Sequence, residues 1–309
     1  MNRGEQLYIG VDGGGTKTVV ALYDIMGNCL KETRCGPVNY NFIGVETAVE
    51  NLLTGISGLP AWQEKTVAIG IGDPSIDDRV RSEESVRFRD LIRARLQIPV
   101  YVRSDAYMTL YALTRGETAG VLMISGTGAM GICEDAVGRI SFAGGWGRLT
   151  GDEGSGYYIG LSGIRAALHA ADGIAGGSEM LLRAALSYFG VQEPRALIDL
   201  FYGEKEPNIA GFCTSVCACA DAGDGISIEI LHGAAAYLAQ YASVLLKRSG
   251  AKLLGTYGSV LQCIPTVSDA FCHRIRERFP DVKIETPTLS AECAAALYAK
   301  KCFLGGLTE

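Results

Sequence analysis

Asp12 is followed directly by Gly13-Gly14-Gly15-Thr16-Lys17-Thr18, a carboxylate beside three glycines, two hydroxyls and an ammonium group. Glycines let successive backbone N–H groups converge on one concavity, which is what a polyphosphate needs. A carboxylate at the edge of that concavity can hold Mg²⁺, usually through water. Apolar Leu7-Tyr8-Ile9 precede the motif and Val19-Val20-Ala21-Leu22-Tyr23 follow it, so the pattern predicts a β-hairpin with the glycines at its tip. By itself the stretch fits an ordinary glycine hairpin equally well. It is not a Walker loop, and the β-branched Thr16, Thr18, Val19 and Val20 favour a second strand over the helix that a dinucleotide fingerprint requires.

A second such unit lies about 115 residues later. Strand-like Gly120-Val121-Leu122-Met123-Ile124 runs into Ser125-Gly126-Thr127-Gly128, and Ala129-Met130-Gly131-Ile132-Cys133 follows. Two strand, glycine turn, strand units suggest an internally duplicated protein gripping phosphates from both sides. Asp105 follows the predicted strand 100–102 and opens a helix running to Leu113. At the C-terminal edge of an α/β sheet a carboxylate can serve catalysis, or it can be a plain helix N-cap. Gly36-Pro37-Val38-Asn39-Tyr40-Asn41 offers two carboxamides and a ring for a sugar's hydroxyls and face, or simply an Asx turn. Gly144-Gly145-Trp146-Gly147 and Gly151-Asp152-Glu153-Gly154-Ser155 add a tryptophan and two acids before a helix at 157–171. They suit sugar binding, or an Ω-loop around a buried tryptophan. Lys252 to Ser259 reads as a strand entering a third glycine turn, a junction able to take the base and ribose of a nucleotide.

The elements that must position these groups alternate between strand and helix periodicities. Helices are expected at 44–56, 83–96, 178–190, 194–202, 207–221 and 227–249, with an alanine-rich closing helix at 290–303; strands are expected at 29–34, 66–71 and 284–287. A chain of 309 residues, 48% apolar, can bury two sizeable cores. Its net charge of -6, with no dense basic cluster, argues against a nucleic-acid surface. The first strand begins within about six residues, leaving no space for an export signal, and no apolar run reaches a membrane span, so the expected location is the cytoplasm. The ten cysteines are scattered, and are read as thiols, mostly buried. Cys213, Cys217 and Cys219 do not complete a metal site, because only the first two share a helix face. His169, His232 and His273 form no triad with a nucleophile elbow.

Taken together, the Asp12 hairpin, Asp105, the turn at 125–128, the run from Gly144 to Ser155 and the Gly255-Thr256-Tyr257-Gly258 turn resemble the actin-like sugar kinase superfamily. Within it the chain is similar to the N-acetylglucosamine kinase and BadF/BadG/BcrA/BcrD ATPase group, most specifically in Gly-Gly-Trp-Gly followed by Gly-Asp-Glu-Gly-Ser. The resemblance implies an α/β fold of two ribonuclease-H-like (actin/hexokinase-type) domains with an interdomain cleft, residues 1–115 plus 290–309 and residues 116–289. It implies ATP and Mg²⁺ as cofactors, with the triphosphate on Gly13, Gly14, Gly15, Thr16 and Lys17 and on Ser125, Gly126, Thr127 and Gly128. Asp12 would orient the metal, and Gly258 and Ser259 would border the adenosine. Asn39, Asp105, Thr127, Gly145, Trp146, Asp152 and Gly156 would meet an amino sugar, with Asp105 as general base toward its 6-hydroxyl.

Some residues depart from the family pattern. Asn41 replaces a common aromatic, Gly72-Asp73-Pro74 a serine-glycine pair, Thr256-Tyr257 a Gly-Val, and Cys293 a glycine. The first two leave room for glucosamine or N-acetylmuramic acid as well as N-acetylglucosamine. A homodimer is compatible with the resemblance, and neither a nucleic acid nor a membrane is an expected partner. The alternative within the same group is an ATPase that activates a dehydratase or benzoyl-CoA reductase by electron transfer, which would need cysteines placed for an iron-sulfur cluster. A sugar-sensing repressor would carry an N-terminal helix-turn-helix, where this chain is expected to enter its first strand.

Overall fold

The computed structural model describes residues 5–204 and 207–306. Residues up to Thr118 and from Pro287 onward form one compact unit, and Ala119–Thr286 form the other.

In the first unit, β1 (Leu7–Asp12), β2 (Thr18–Tyr23) and β3 (Cys29–Cys35) make an antiparallel meander. β4 (Thr66–Gly72) then joins β1 in parallel and β5 (Val100–Arg103) joins β4, giving the order β3-β2-β1-β4-β5. The central strand β1 is buried along nearly its whole length, as its unbroken apolar run requires. The helices here are α1 (Tyr40–Ile43), α2 (Val45–Ser57), α3 (Trp62–Lys65), α4 (Glu83–Leu96) and α5 (Asp105–Thr114). Val45, Ala48, Val49, Leu52 and Ile56 of α2, with Phe88 and Ile92 of α4, pack into the core formed with β1, β2 and β4. These apolar positions repeat every three to four residues, so one face of each helix is buried.

The second unit repeats the pattern. β6 (Gly120–Ser125), β7 (Ala129–Glu134) and β8 (Ile140–Gly144) form the meander, while β9 (Leu253–Tyr257) and β10 (Lys283–Glu285) add in parallel, in the order β10-β9-β6-β7-β8. Each sheet thus has an antiparallel half and a parallel half meeting at a central strand that leads into a glycine turn. Between β8 and β9 come α6 (Gly156–Ala171), α7 (Glu179–Phe189), α8 (Ala196–Phe201), α9 (Cys213–Asp221) and α10 (Gly225–Ser249); α11 (Ser259–Cys263) and α12 (Pro265–Arg278) precede β10. The helix expected from 207 forms only as a 3₁₀ turn at Ala210–Phe212 that then becomes α9. Leu231, Leu238, Leu245, Phe212, Val216 and Phe271 fill the core beneath β6 and β7.

The closing helix α13 (Ala291–Leu304) returns to the first unit and lies on β1 and β4. Its buried Ala294, Ala295, Ala296 and Ala299 keep that helix face flat, and Gly10 and Gly70 leave the sheet bare beneath its backbone. That packing brings Glu292 toward the end of β1. Among the described residues no helix is long and apolar enough to cross a membrane. The cysteines are less uniformly buried than expected: Cys29 and Cys263 are exposed because they lie at a strand start and at the end of a short surface helix, and all ten are free thiols.

Candidate functional site

The first unit gathers carboxylates around the glycine hairpin. Gly13 donates its N–H to Gly72 O at 2.7 Å, tying the start of the turn to the end of β4, while Gly15, Thr16 and Lys17 are exposed at the tip. A Cβ at Gly13 would lie 2.7 Å from Gly72 O, so the tie requires glycine. Asp12 ends β1. Burial lifts its carboxyl to about 6, with Glu292 and Asp105 adding to the lift and Lys17 opposing it. A carboxylate crowded by two others favours either a proton or a hard cation. Among the described residues no set of three His, Cys, Asp or Glu side chains is arranged to hold a metal. A lone carboxylate such as Asp12 is the kind of donor a hard oxygen-seeking ion takes when phosphate and water complete its shell.

Asp105 is the first residue of α5, and the N-cap is Ser104, whose Oγ accepts the Tyr107 N–H at 3.0 Å. This corrects the capping alternative for Asp105: the N-cap is the serine one position earlier, and Asp105 occupies the first turn. Asp105 Oδ1 accepts the Ala106 N–H at 2.7 Å. The side chain keeps access to solvent, yet the surrounding protein excludes enough water to lift its carboxyl above the ordinary range. The Ala106 N–H opposes that lift and Asp78 strengthens it. Asp78 is itself fixed, accepting the Ser104 N–H at 3.1 Å and pairing with Arg103 at 3.5 Å.

Asp73, not singled out as a site residue from sequence, is wholly buried, and its Oδ2 has no hydrogen-bond partner. Burial lifts its carboxyl to about 6, Ser75 pulls it back through two hydrogen bonds, and Asp105 adds to the lift. Asn39 caps the short α1, its Oδ1 accepting the Asn41 N–H at 3.2 Å, so the Asx turn is present and the loop expected through Asn41 ends two residues early. Tyr40 is buried, which corrects its assignment as a sugar-facing ring: it packs on Phe88 and is core.

The second unit presents the other glycine turn. Ser125 is buried and its hydroxyl donates to Gly154 O at 2.8 Å; Gly126 donates its N–H to Gly128 O at 2.9 Å. The Ser125 side chain is thus spent inside the fold, and Thr127 is the exposed member of the turn. Gly156 N–H donates to Gly126 O at 2.7 Å and Tyr157 N–H to Thr127 O at 3.2 Å, which joins the start of α6 to the turn. Asp152 adopts φ of 59°, a left-handed conformation that Asp tolerates better than most non-glycine residues. Its carboxylate lies over the same turn: a Cβ on Gly128 would come within 3.0 Å of Oδ2. Burial lifts the Asp152 carboxyl, the Ala129 N–H opposes and Glu153 adds. The Tyr241 hydroxyl donates to Glu153. Gly145 has φ of 71° and its N–H donates to Ala129 O at 3.0 Å, while Trp146 is 71% exposed, so the buried-tryptophan alternative fails.

Two cavities flank this turn. One, of about 380 Å³, is lined by Thr127, Gly128, Arg148, Asp152, Tyr157 and Asn208 among others. The other, of about 460 Å³, opens between Gly126, Thr127 and Gly156 on one side and Thr214, Cys217, Ser259 and Cys263 on the other. Gly258 does not line it; with φ of 93° it packs against the Ser125 backbone, where a Cβ would lie 2.4 Å from Ser125 O, and so aims Ser259 at the cavity. Ala210, Gly211, Thr214, Cys217, Cys263 and Ile264 were missed from sequence, because their helices carry no motif and only their approach to the turn gives them a place.

A model of the BadF/BadG/BcrA/BcrD ATPase family matches residues 9–299. An N-acetylmuramic acid/N-acetylglucosamine kinase of Clostridium acetobutylicum is 30% identical over 303 residues, covering 94% of this chain and 97% of the relative. An N-acetyl-D-glucosamine kinase of Dictyostelium discoideum is 28% identical, covering 96% and 98%. The crystal structure of a Chromobacterium violaceum protein, 24% identical, superposes with a TM-score of 0.70 over 95% of this chain and 99% of that one. With nearly its whole length matched by the family model, the chain belongs to the BadF/BadG/BcrA/BcrD ATPase family.

Proposed function

We propose that the protein is an ATP-dependent amino-sugar kinase that transfers the γ-phosphoryl group to the 6-hydroxyl of N-acetylglucosamine or a close relative such as N-acetylmuramic acid or glucosamine. The observation that carries this reading is Asp105: an accessible carboxylate just inside the Ser104 N-cap, made more basic than usual by its surroundings. Such a group takes the proton of an attacking hydroxyl effectively, because its affinity for protons lies closer to neutral pH.

The remaining parts divide between nucleotide and sugar. The hairpin tip of Gly14 and the exposed Gly15, Thr16 and Lys17, and the turn of Gly126, Thr127 and Gly128, supply N–H groups and one ammonium to the phosphates. The cavity bordered by Ser259, Thr214 and Cys263 has the size for a base and ribose. Asp12 holds Mg²⁺, which when bound neutralises phosphate charge. Asn39, Gly145, Trp146 and Asp152 take the sugar's hydroxyls and ring, with the Ala129 N–H donating to one Asp152 carboxylate oxygen. Phosphoryl transfer needs little covalent help from protein, so alignment and charge are the main contributions.

An ATP-coupled assay across glucosamine, N-acetylglucosamine, N-acetylmannosamine, N-acetylmuramic acid and glucose tests the reading. Turnover with at least one amino sugar above glucose is the expected result. No turnover on any of them would overturn it and direct attention to an electron-transfer ATPase, which an anaerobic preparation would reveal by visible absorbance.

A further inference from the structure

Three of the ten thiols meet at one cavity. Cys213 and Cys217 of α9 line the space of about 460 Å³ beside Ser259, and Cys263 joins them from the end of α11. Positions i and i+4 of a helix share a face, so α9 turns both of its thiols toward that space. Among the described residues no three His, Cys, Asp or Glu side chains are arranged to hold a metal, so the cluster offers nucleophiles rather than a ligand set.

The two thiols of α9 are not equivalent. Cys213 is buried, while Cys217 is only half-buried and can be reached through the cavity. Hydrogen bonding to Cys217, together with burial, pushes the Cys213 thiol up. The same hydrogen bond holds the Cys217 thiol below its usual range, against the opposing effects of burial and Asp221. Cys213 therefore keeps its proton and donates it in a hydrogen bond, and Cys217 is the sulfur that carries negative charge. Thiolates rather than thiols attack disulfides, so the accessible member of the pair is also the reactive one.

This cavity is the one assigned above to base and ribose, and the inference rests on that assignment. We propose that Cys217 is a modification site whose reaction with a low-molecular-weight disulfide fills the cavity and shuts out the nucleotide. The Cys217 thiolate attacks one sulfur of R–S–S–R, a Cys217–S–S–R bond forms, the original S–S bond breaks, and the other half leaves as RS⁻ to take up the proton that Cys217 gave up. The small disulfide is the oxidant, and an added dithiol reverses the step. Reduced sulfur is compact and apolar enough to lie against a base, whereas the adduct occupies the base's place.

Oxidised glutathione is the probe, with adducts located by peptide mass spectrometry, ATP affinity measured by calorimetry and folds verified by thermal melts. Cys217 is expected to form the mixed disulfide, and ATP at about ten times its Kd should slow that reaction about tenfold. Exposed Cys29, in the other compact unit, is the reference whose labelling ATP leaves unchanged. ATP affinity of the wild type should fall at least about tenfold as Cys217 is filled and return with dithiothreitol. Cys217→Ser should bind ATP equally before and after treatment. Cys213→Ala should slow the reaction at Cys217 about two- to threefold, because a lost hydrogen bond lowers the thiolate fraction while the more basic thiolate regains part of the rate. Labelling of Cys29 with none at Cys217, an adduct at Cys217 that leaves ATP affinity unchanged, or an equal loss of affinity in Cys217→Ser would overturn the proposal. A reduced wild type that binds ATP and phosphorylates no sugar sinks the sugar reading and leaves this one standing. A reduced wild type that binds no ATP removes the nucleotide from the cavity and overturns the exclusion proposed here.

Discussion

The carbonyl oxygen of Glu292 lies over Gly10 so closely that a Cβ there would stand 1.8 Å from it. The same arrangement recurs one strand away, where a Cβ on Gly70 would lie 1.9 Å from Ala295 O. These two bare positions set the depth at which α13 sits on the sheet, and with it how strongly Glu292 acts on Asp12.

Gly10→Ala and Gly70→Ala are each expected to lose at least about 2 kcal/mol, because backbone rather than a flexible side chain must move. Denaturant unfolding measures the loss. The control is Gly15→Ala, whose Cβ meets nothing within 4 Å; equal stability for all three would show that α13 yields freely.

Asp105→Asn keeps the shape of the side chain and removes its basicity. Turnover should fall by about 10² to 10⁴, while sugar binding measured by calorimetry stays within a few-fold of the wild type. Activity retained in this variant would remove Asp105 from the role of base.

Asp12 and Asp73 both have carboxyls lifted to about 6 in the folded chain, against an ordinary value of 3.8. A raised carboxyl binds its proton more tightly folded than unfolded, so its contribution to stability is complete below pH near 4 and is lost as pH rises through about 6. For wholly buried Asp73 the loss is on the order of 2 to 3 kcal/mol. Melting temperature followed from pH 4 to 7 should therefore decline more steeply in the wild type than in Asp73→Asn. A parallel decline in both proteins would show that Asp73 does not carry the effect.

Mg²⁺ added with ATP should raise the melting temperature beyond ATP alone, since the cation relieves the crowding of Asp12 by Glu292 and Asp105. Asp12→Asn should abolish the increment from the metal while keeping that from the nucleotide. An undiminished metal increment in that variant would place the cation elsewhere.

Filling the cavity beside Ser259 should separate the two substrates. Cys263→Trp, at an exposed position lining that space, is expected to raise the ATP KM about tenfold or more and to leave the sugar KM near its starting value. A change confined to the sugar KM would reverse the assignment of the cavities.

The sequence alone determined the elements and their duplication. Apolar alternation around Asp12 and again around Ser125, and 3.6-residue periodicity over 83–96, are properties of neighbours within a few residues, so they are legible before folding. Glycine turns at 13–15 and 126–128 were equally visible, because a backbone that must turn tightly shows in residue type. What those groups do was decided only by tertiary structure. The Ser125 hydroxyl turned inward because Gly154 O waits 29 positions away, and Tyr40 joined the core because Phe88 lies beneath it. Asp12 acquired its lifted carboxyl from burial, with Glu292, 280 residues later, adding to it, and Asp73 showed itself as a site candidate only once it was wholly enclosed. Burial, field and cavity shape depend on which distant segments close over a group, and local residue spacing does not encode that closure.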